Sequence, residues 1–111
     1  MARKTTGIKI VRGSGNVFAD LGFPDPERER FKATMVLQIC RTITRRRLTL
    51  AQAGLALGLR QPDLSRLMRG SFGRYSVERL MEFLTALGHD VEVTIRPTRR
   101  KQGAMSVVIA A

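Results

Sequence analysis

A chain of 111 residues has room for one compact domain plus end segments, and a second independent domain is not expected. Its 20 Lys and Arg against 9 Asp and Glu leave a formal charge of +11, which asks for an acidic partner: nucleic acid, an anionic membrane surface or an acidic protein. The single cysteine, Cys40, excludes an intramolecular disulfide framework, and the single histidine, His89, excludes a Cys/His metal cluster, so the expectation is a cytoplasmic protein with no metal and no cofactor.

Arg3 and Lys4 are not followed by the apolar core of a signal peptide, and no run approaches the roughly 18 apolar residues of a membrane span, so no membrane partner is expected. Residues 1–24 read as an N-terminal arm, because the alternating patch of Ile8, Ile10 and Val11 buries little apolar area. Asp25 and Pro26 then supply an N-cap and a first-turn proline, with Glu27 and Glu29 placed where a helix dipole favours negative charge. In the helix that follows, Phe31, Met35, Ile39 and Ile43 recur every four residues, and Leu37 and Cys40 are expected to widen the face. The run Arg45, Arg46, Arg47 at its end suits either dipole complementation or phosphate contact.

Thr49 can cap a short second helix reaching about Leu57, with Gly58 able to close it in the left-handed conformation. Pro62 marks the first turn of a third helix that runs to Met68 and stops at Gly70. Ser76 can cap a fourth, in which Val77, Leu80, Met81, Leu84 and Leu87 fall at helical spacing before Gly88. The period then changes to two: Val91, Val93 and Ile95 alternate with Glu92, Thr94 and Arg96 up to Pro97, which predicts a short C-terminal β-strand. Such a strand needs a partner, either the Ile8–Val11 patch or its own copy in a second subunit. The domain is therefore expected over 25–97, with a basic and then apolar tail over 98–111.

The stretch from Leu48 to Gly70, LTLAQAGLALGLRQPDLSRLMRG, carries the functional signal. Two helices crossing at a wide angle over a short turn need a small residue in the first, a turn residue between them and apolar residues facing inward. Gly54, Gly58 and the set Ala53, Leu57, Leu59, Leu64 and Leu67 meet those needs, while Gln61, Asp63, Ser65, Arg66 and Arg69 stay outward on the third helix. Gly54 sacrifices about 1 kcal/mol of helix propensity relative to alanine, for which close helix packing is the evident reason.

This stretch resembles the helix-turn-helix of the phage-repressor-like (XRE) family. Its flanks, NVFADLGFPDPE at 16–27 and SVERLMEFLTALGHDVEVTIRP at 76–97, are similar to HigA-like antitoxins of toxin–antitoxin modules. The resemblance implies an all-α, phage-repressor-like bundle of about four helices with a short C-terminal β-strand, acting as a homodimer on double-stranded DNA. It implies that Gln61 reads a base edge or braces a phosphate contact and that Arg66 points into the groove, chemically suited to adenine and guanine edges respectively; Asp63 joins them in base readout by its chemistry, accepting from cytosine N4, or else keeps Arg66 oriented. It implies backbone contacts from Arg60, Arg69 and Arg74, with Thr49, Gln52 and Ser65 beside them. Leu50 departs from the family, which commonly has a glutamine there to hold the DNA backbone and the first recognition residue together; Thr49 or Gln52 is expected to take over part of the phosphate contact, and the bracing of Gln61 is left without a residue.

Other readings are weaker. His89 beside Asp90 reads as a surface or capping residue rather than an acid–base catalyst, and Cys40 as core, so no catalysis is expected. Tyr75 and the phenylalanines are too scattered for a base-stacking platform; Phe72 and Tyr75 read as packing for the loop after the third helix. The function implied is a transcriptional regulator, specifically an antitoxin that represses its own operon and neutralises a small RNase toxin protein. A stand-alone XRE-type repressor and a protein-interaction module without a DNA role are the alternatives.

Overall fold

A computed structural model describes residues 26–110, in which four helices follow one another: α1 (Pro26–Arg45), α2 (Leu50–Leu57), α3 (Gln61–Met68) and α4 (Val77–Ala86). The expected arm over 1–24, its Ile8–Val11 patch and the Asp25 cap lie outside the described residues. The chain divides into two units, Met35–Glu92 and Met1–Thr34 with Val93–Ala111.

In the unit Met35–Glu92, each helix contributes one apolar stripe to a common core. From α1 come Met35, Val36, Ile39 and Ile43, from α2 Ala53 and Leu57, from α3 Leu64 and Leu67, and from α4 Leu80, Phe83 and Leu84, with Leu87 at its end. Burying a side chain of this size contributes about 1.5–3 kcal/mol, and these stripes orient the short helices. An eight-residue helix is marginal in water by itself; α2 and α3 have that length and persist because their leucines are anchored. Leu37 is not part of the α1 stripe. It lies 41% exposed, because two positions past Met35 is about 200° around a helix.

The turns are specified locally. Arg47 takes the left-handed conformation at φ 54° and ends α1: Leu48 N–H donates to Ile43 O at 3.1 Å and Arg47 N–H to Thr44 O at 3.1 Å, the paired bonds of a Schellman stop. Thr49 then opens α2 with a full capping box, its hydroxyl accepting from Gln52 N–H at 3.1 Å while Gln52 Oε1 accepts from Thr49 N–H at 2.9 Å. Gly58 closes α2 at φ 70°, a conformation that a residue with a β-carbon enters only at a cost of about 1–2 kcal/mol. Ser76 caps α4 by accepting from Arg79 N–H at 3.0 Å.

The end of α4 is tied back to α1. Thr42 Oγ1 donates to Gln38 O at 2.8 Å, so it accepts from His89 Nε2 at 2.7 Å, since a hydroxyl has one proton to give. His89, half-buried, is thus a tertiary tie from the end of α4 to α1, and it is also the capping residue its position suggested, its N–H donating to Leu84 O at 3.0 Å just after the left-handed Gly88. Tyr75 packs edge-on against Phe83 with ring centroids 5.5 Å apart, and Arg79 lies 4.8 Å over the same ring. Tyr75 therefore packs the loop after α3 against α4, as its position suggested, and Phe72 in the same loop is half-buried.

In the other unit, the first turns of α1 carry Glu27 and Glu29 at the helix start, and Thr34 Oγ1 donates to Arg30 O at 3.1 Å. The expected strand over Val91–Ile95 is not formed, and no strand occurs among the described residues. Val93 is 77% and Ile95 91% exposed. Alternation supplies one apolar face, but a strand also requires a neighbour to complete its backbone hydrogen bonds, and no ladder is formed over Val91–Ile95.

Candidate nucleic-acid interface

Helix α3 is two turns long and has two clearly different sides. At about 100° per residue, Leu64 and Leu67 point to one side, where both are fully buried. Pro62 and Arg69 fall opposite, Ser65 and Arg66 about 50° to either hand, and Gln61 and Asp63 at the two margins. Gln61, Pro62, Arg66 and Arg69 are exposed, and Asp63 and Ser65 half-buried.

Arg60 precedes the helix as its N-cap in an extended conformation, and its side chain makes no capping bond, which leaves the exposed guanidinium available at the helix entrance. Its carbonyl accepts from Leu64 N–H at 3.0 Å, the first bond of the helix. Arg69 sits at the other end as the C-cap, its own N–H donating to Ser65 O and Arg66 O at 3.1 Å. Arg66 Nη1 donates to Asp63 Oδ1 at 3.0 Å, and Arg74 Nη1 lies 3.6 Å from that same oxygen. The first contact is the one that the spacing of three on a helix allows. The second joins α3 to the loop beyond it, and no local pattern in the sequence signals it.

The turn that presents α3 depends on Gly54. A β-carbon there would lie 2.7 Å from Leu59 O, well inside ordinary van der Waals contact. The Gly54 carbonyl also accepts from Leu59 N–H at 2.9 Å and from Gly58 N–H. The close approach anticipated for this glycine is therefore to the backbone of the turn itself.

Thr49 and Gln52 are exposed at the start of α2, and the capping box fixes both. Gln52 Oε1 is occupied by the cap, which leaves its NH2 group facing away as a donor, while Leu50 next to it is 40% exposed and has no polar atom to offer. On α1, Cys40 is half-buried with its thiol directed at Met68 O, 3.9 Å away. Burial pushes its pKa above the ordinary value, outweighing the lowering effect of a hydrogen bond from its own backbone, and so disfavours the reactive thiolate. Among the described residues no group of His, Cys, Asp and Glu could hold a metal ion, and no helix is long and apolar enough to cross a membrane.

A short helix anchored by two buried leucines, reached over a glycine-dependent turn and displaying arginine and glutamine outward, defines a helix-turn-helix protein. The model of the helix-turn-helix domain family matches residues 17–96, and the chain belongs to that family. A solved structure named "Putative XRE Family Transcriptional Regulator" is 38% identical, with a TM-score of 0.69 over 79% of this chain and 99% of its own length, and places the helix-turn-helix in the XRE type. No match is found among curated proteins.

Proposed function

We propose that this chain is a sequence-specific DNA-binding transcriptional regulator that lays α3 in the major groove of its operator as a homodimer. The observation that carries the reading is the two-sidedness of α3: Leu64 and Leu67 are fully buried while Gln61, Arg66 and Arg69 are exposed. A groove some 12 Å wide admits a helix presented in this way. In this reading Gln61 and Arg66 face base edges, with Asp63 at the margin of the same helix. Arg60, Arg69 and Arg74 neutralise phosphates, with Thr49, Gln52 and Ser65 supplying neutral donors to the backbone. The +11 charge adds the long-range attraction that brings such a protein to DNA.

Within this function, the similarity of residues 16–27 and 76–97 to HigA-like antitoxins supports the more specific role of an antitoxin that represses its own operon and neutralises a small RNase toxin protein. A footprint on the promoter upstream of the chain's own gene tests the regulatory role. Two protected half-sites about 34–36 Å apart are expected for a dimer, and no protection at any protein concentration that covers other sites refutes autoregulation. Co-expression with the product of an adjacent small reading frame tests the antitoxin role, with rescue of growth as the expected result; absence of such a frame and of any complex refutes it.

A further inference from the structure

We propose that Asp63 is a positioning residue and not a base reader: it holds Arg66 in a guanine-reading orientation and shares its charge with Arg74 until a phosphate takes Arg74 over. The inference rests on the DNA-binding reading of α3 and assigns the operator a guanine in each half-site.

Three observations carry it. A single carboxylate oxygen, Asp63 Oδ1, serves two arginines unequally, with Arg66 Nη1 at 3.0 Å and Arg74 Nη1 at 3.6 Å. The first is a charge-assisted hydrogen bond; the second is beyond hydrogen-bonding distance and is Coulombic alone. Next, the Asp63 side chain is 29% exposed against 55% for Arg66 and 64% for Arg74, so both arginines extend past it towards solvent. Finally, Asp63 lies about 110° around the helix from the centre of its outward side and Arg66 about 50°. The carboxylate stands behind the guanidinium as seen from a groove.

A guanidinium has five donors in a planar fork, and one bond from Nη1 leaves the fork's other donors free. Guanine alone offers two acceptors, O6 and N7, spaced to receive such a fork. An arginine already held by a neighbour loses less side-chain freedom on making that contact than a loose one does. Arg74, held only weakly, is the member of the trio that a backbone phosphate can recruit. Its departure leaves the whole Asp63 charge on Arg66. The same carboxylate repels phosphates wherever Arg66 finds no guanine, which lowers affinity for unrelated sequences.

The test is selection from a pool of random DNA duplexes, with the wild-type chain, Asp63→Ala, Arg66→Ala and Arg74→Ala compared by sequencing the bound fraction, and affinity for an unselected duplex measured in parallel. The wild type is expected to enrich a guanine at one position of each half-site by about tenfold. Asp63→Ala and Arg66→Ala both lose that preference at the same position. Asp63→Ala binds the unselected duplex several-fold tighter than wild type, whereas Arg74→Ala keeps the guanine and weakens binding to all duplexes. Circular dichroism monitors folding, and Asp63→Asn replaces Asp63→Ala if the latter fails to fold. An undiminished guanine preference in Asp63→Ala overturns the proposal. So does a loss at a different base pair, which would make Asp63 a reader in its own right. A wild-type chain that binds no duplex overturns the DNA-binding reading itself, and this proposal with it.

Discussion

Replacing Gly54 by alanine sets two effects against each other whose sizes can be compared. In an ordinary helix position the change stabilises by about 1 kcal/mol, because alanine is the better helix former. Here the new β-carbon would meet Leu59 O at 2.7 Å, and ordinary contact requires that carbonyl to retreat by roughly half an ångström or more. The carbonyl belongs to the turn, with no rotamer by which to escape, so the strain falls in the range of about 1–3 kcal/mol seen for overpacked sites. Moving the turn also weakens the Leu59 N–H bond to Gly54 O, worth about 0.5–1.5 kcal/mol. The net expectation is a loss of about 1–3 kcal/mol, read as a lower midpoint in urea unfolding followed by circular dichroism. Gly73→Ala is the control, since a β-carbon there meets nothing within 4 Å, and it is expected to change stability by less than about 0.5 kcal/mol. A Gly54→Ala protein more stable than wild type would show that the turn yields freely and that close approach is not why glycine occupies the site.

Arg47→Gly relieves the left-handed strain at the end of α1 but adds freedom to the unfolded chain, so a gain of up to about 1 kcal/mol is expected in the same urea assay. Thr42→Val removes the hydroxyl that joins α1 to His89 and is expected to cost about 1–2 kcal/mol; a neutral result would mean that the bond contributes nothing net. Arg69→Ala is expected to weaken binding to all DNA sequences alike and to flatten the salt dependence of log affinity by about one unit. Equal flattening in Gln61→Ala would show that the two do not divide the work. The Cys40 thiol has its pKa raised above the ordinary 9.0 in the fold, so the native state holds that proton more tightly than the unfolded chain. Its contribution to stability is intact below about pH 9 and declines as pH rises through the folded value. Alkylation of Cys40 should accordingly be slower in the folded protein than in urea, and equal rates would contradict the burial.

What could be read from the sequence was whatever local chemistry determines. Thr49, Gly58, Pro62 and Ser76 each impose a conformation on their own residue or the next three, and the helices start and stop where these residues stand. Of the inward set Ala53, Leu57, Leu59, Leu64 and Leu67 that followed from periodicity, four are buried and Leu59, in the turn, is half-buried. Phe83 escaped that reading although it is 1% exposed, because the leucines of α4 already accounted for a complete face. The pairing of Thr42 with His89 spans 47 positions, and that of Asp63 with Arg74 crosses a loop; neither has a sequence period. The strand misled for a related reason. Alternation at 91–96 specifies which side chains would share a face, whereas the hydrogen bonds of a strand depend on a second segment that alternation does not name.

The same division between local and distant causes explains how so short a helix can be presented in a defined way. Helix α3 has eight residues and too few internal hydrogen bonds to fix its own direction. The constraints lie just before it: a strained left-handed Arg47, the reciprocal Thr49–Gln52 box, a Gly54 that admits the turn carbonyl, and the left-handed Gly58. Each acts on backbone atoms, so none depends on the residues displayed outward. Gln61, Ser65, Arg66 and Arg69 are correspondingly free to be chosen for what they contact. Substitutions at the frame and at the display should therefore separate in experiment. Gly54→Ala lowers stability and DNA binding together, because it moves the whole helix; Arg66→Ala changes base preference while leaving the unfolding midpoint within about 0.5 kcal/mol of wild type. If Arg66→Ala unfolded as readily as Gly54→Ala, the display would be part of the frame, and the orientation of α3 would depend on the side-chain cluster around Asp63 more than on the turn.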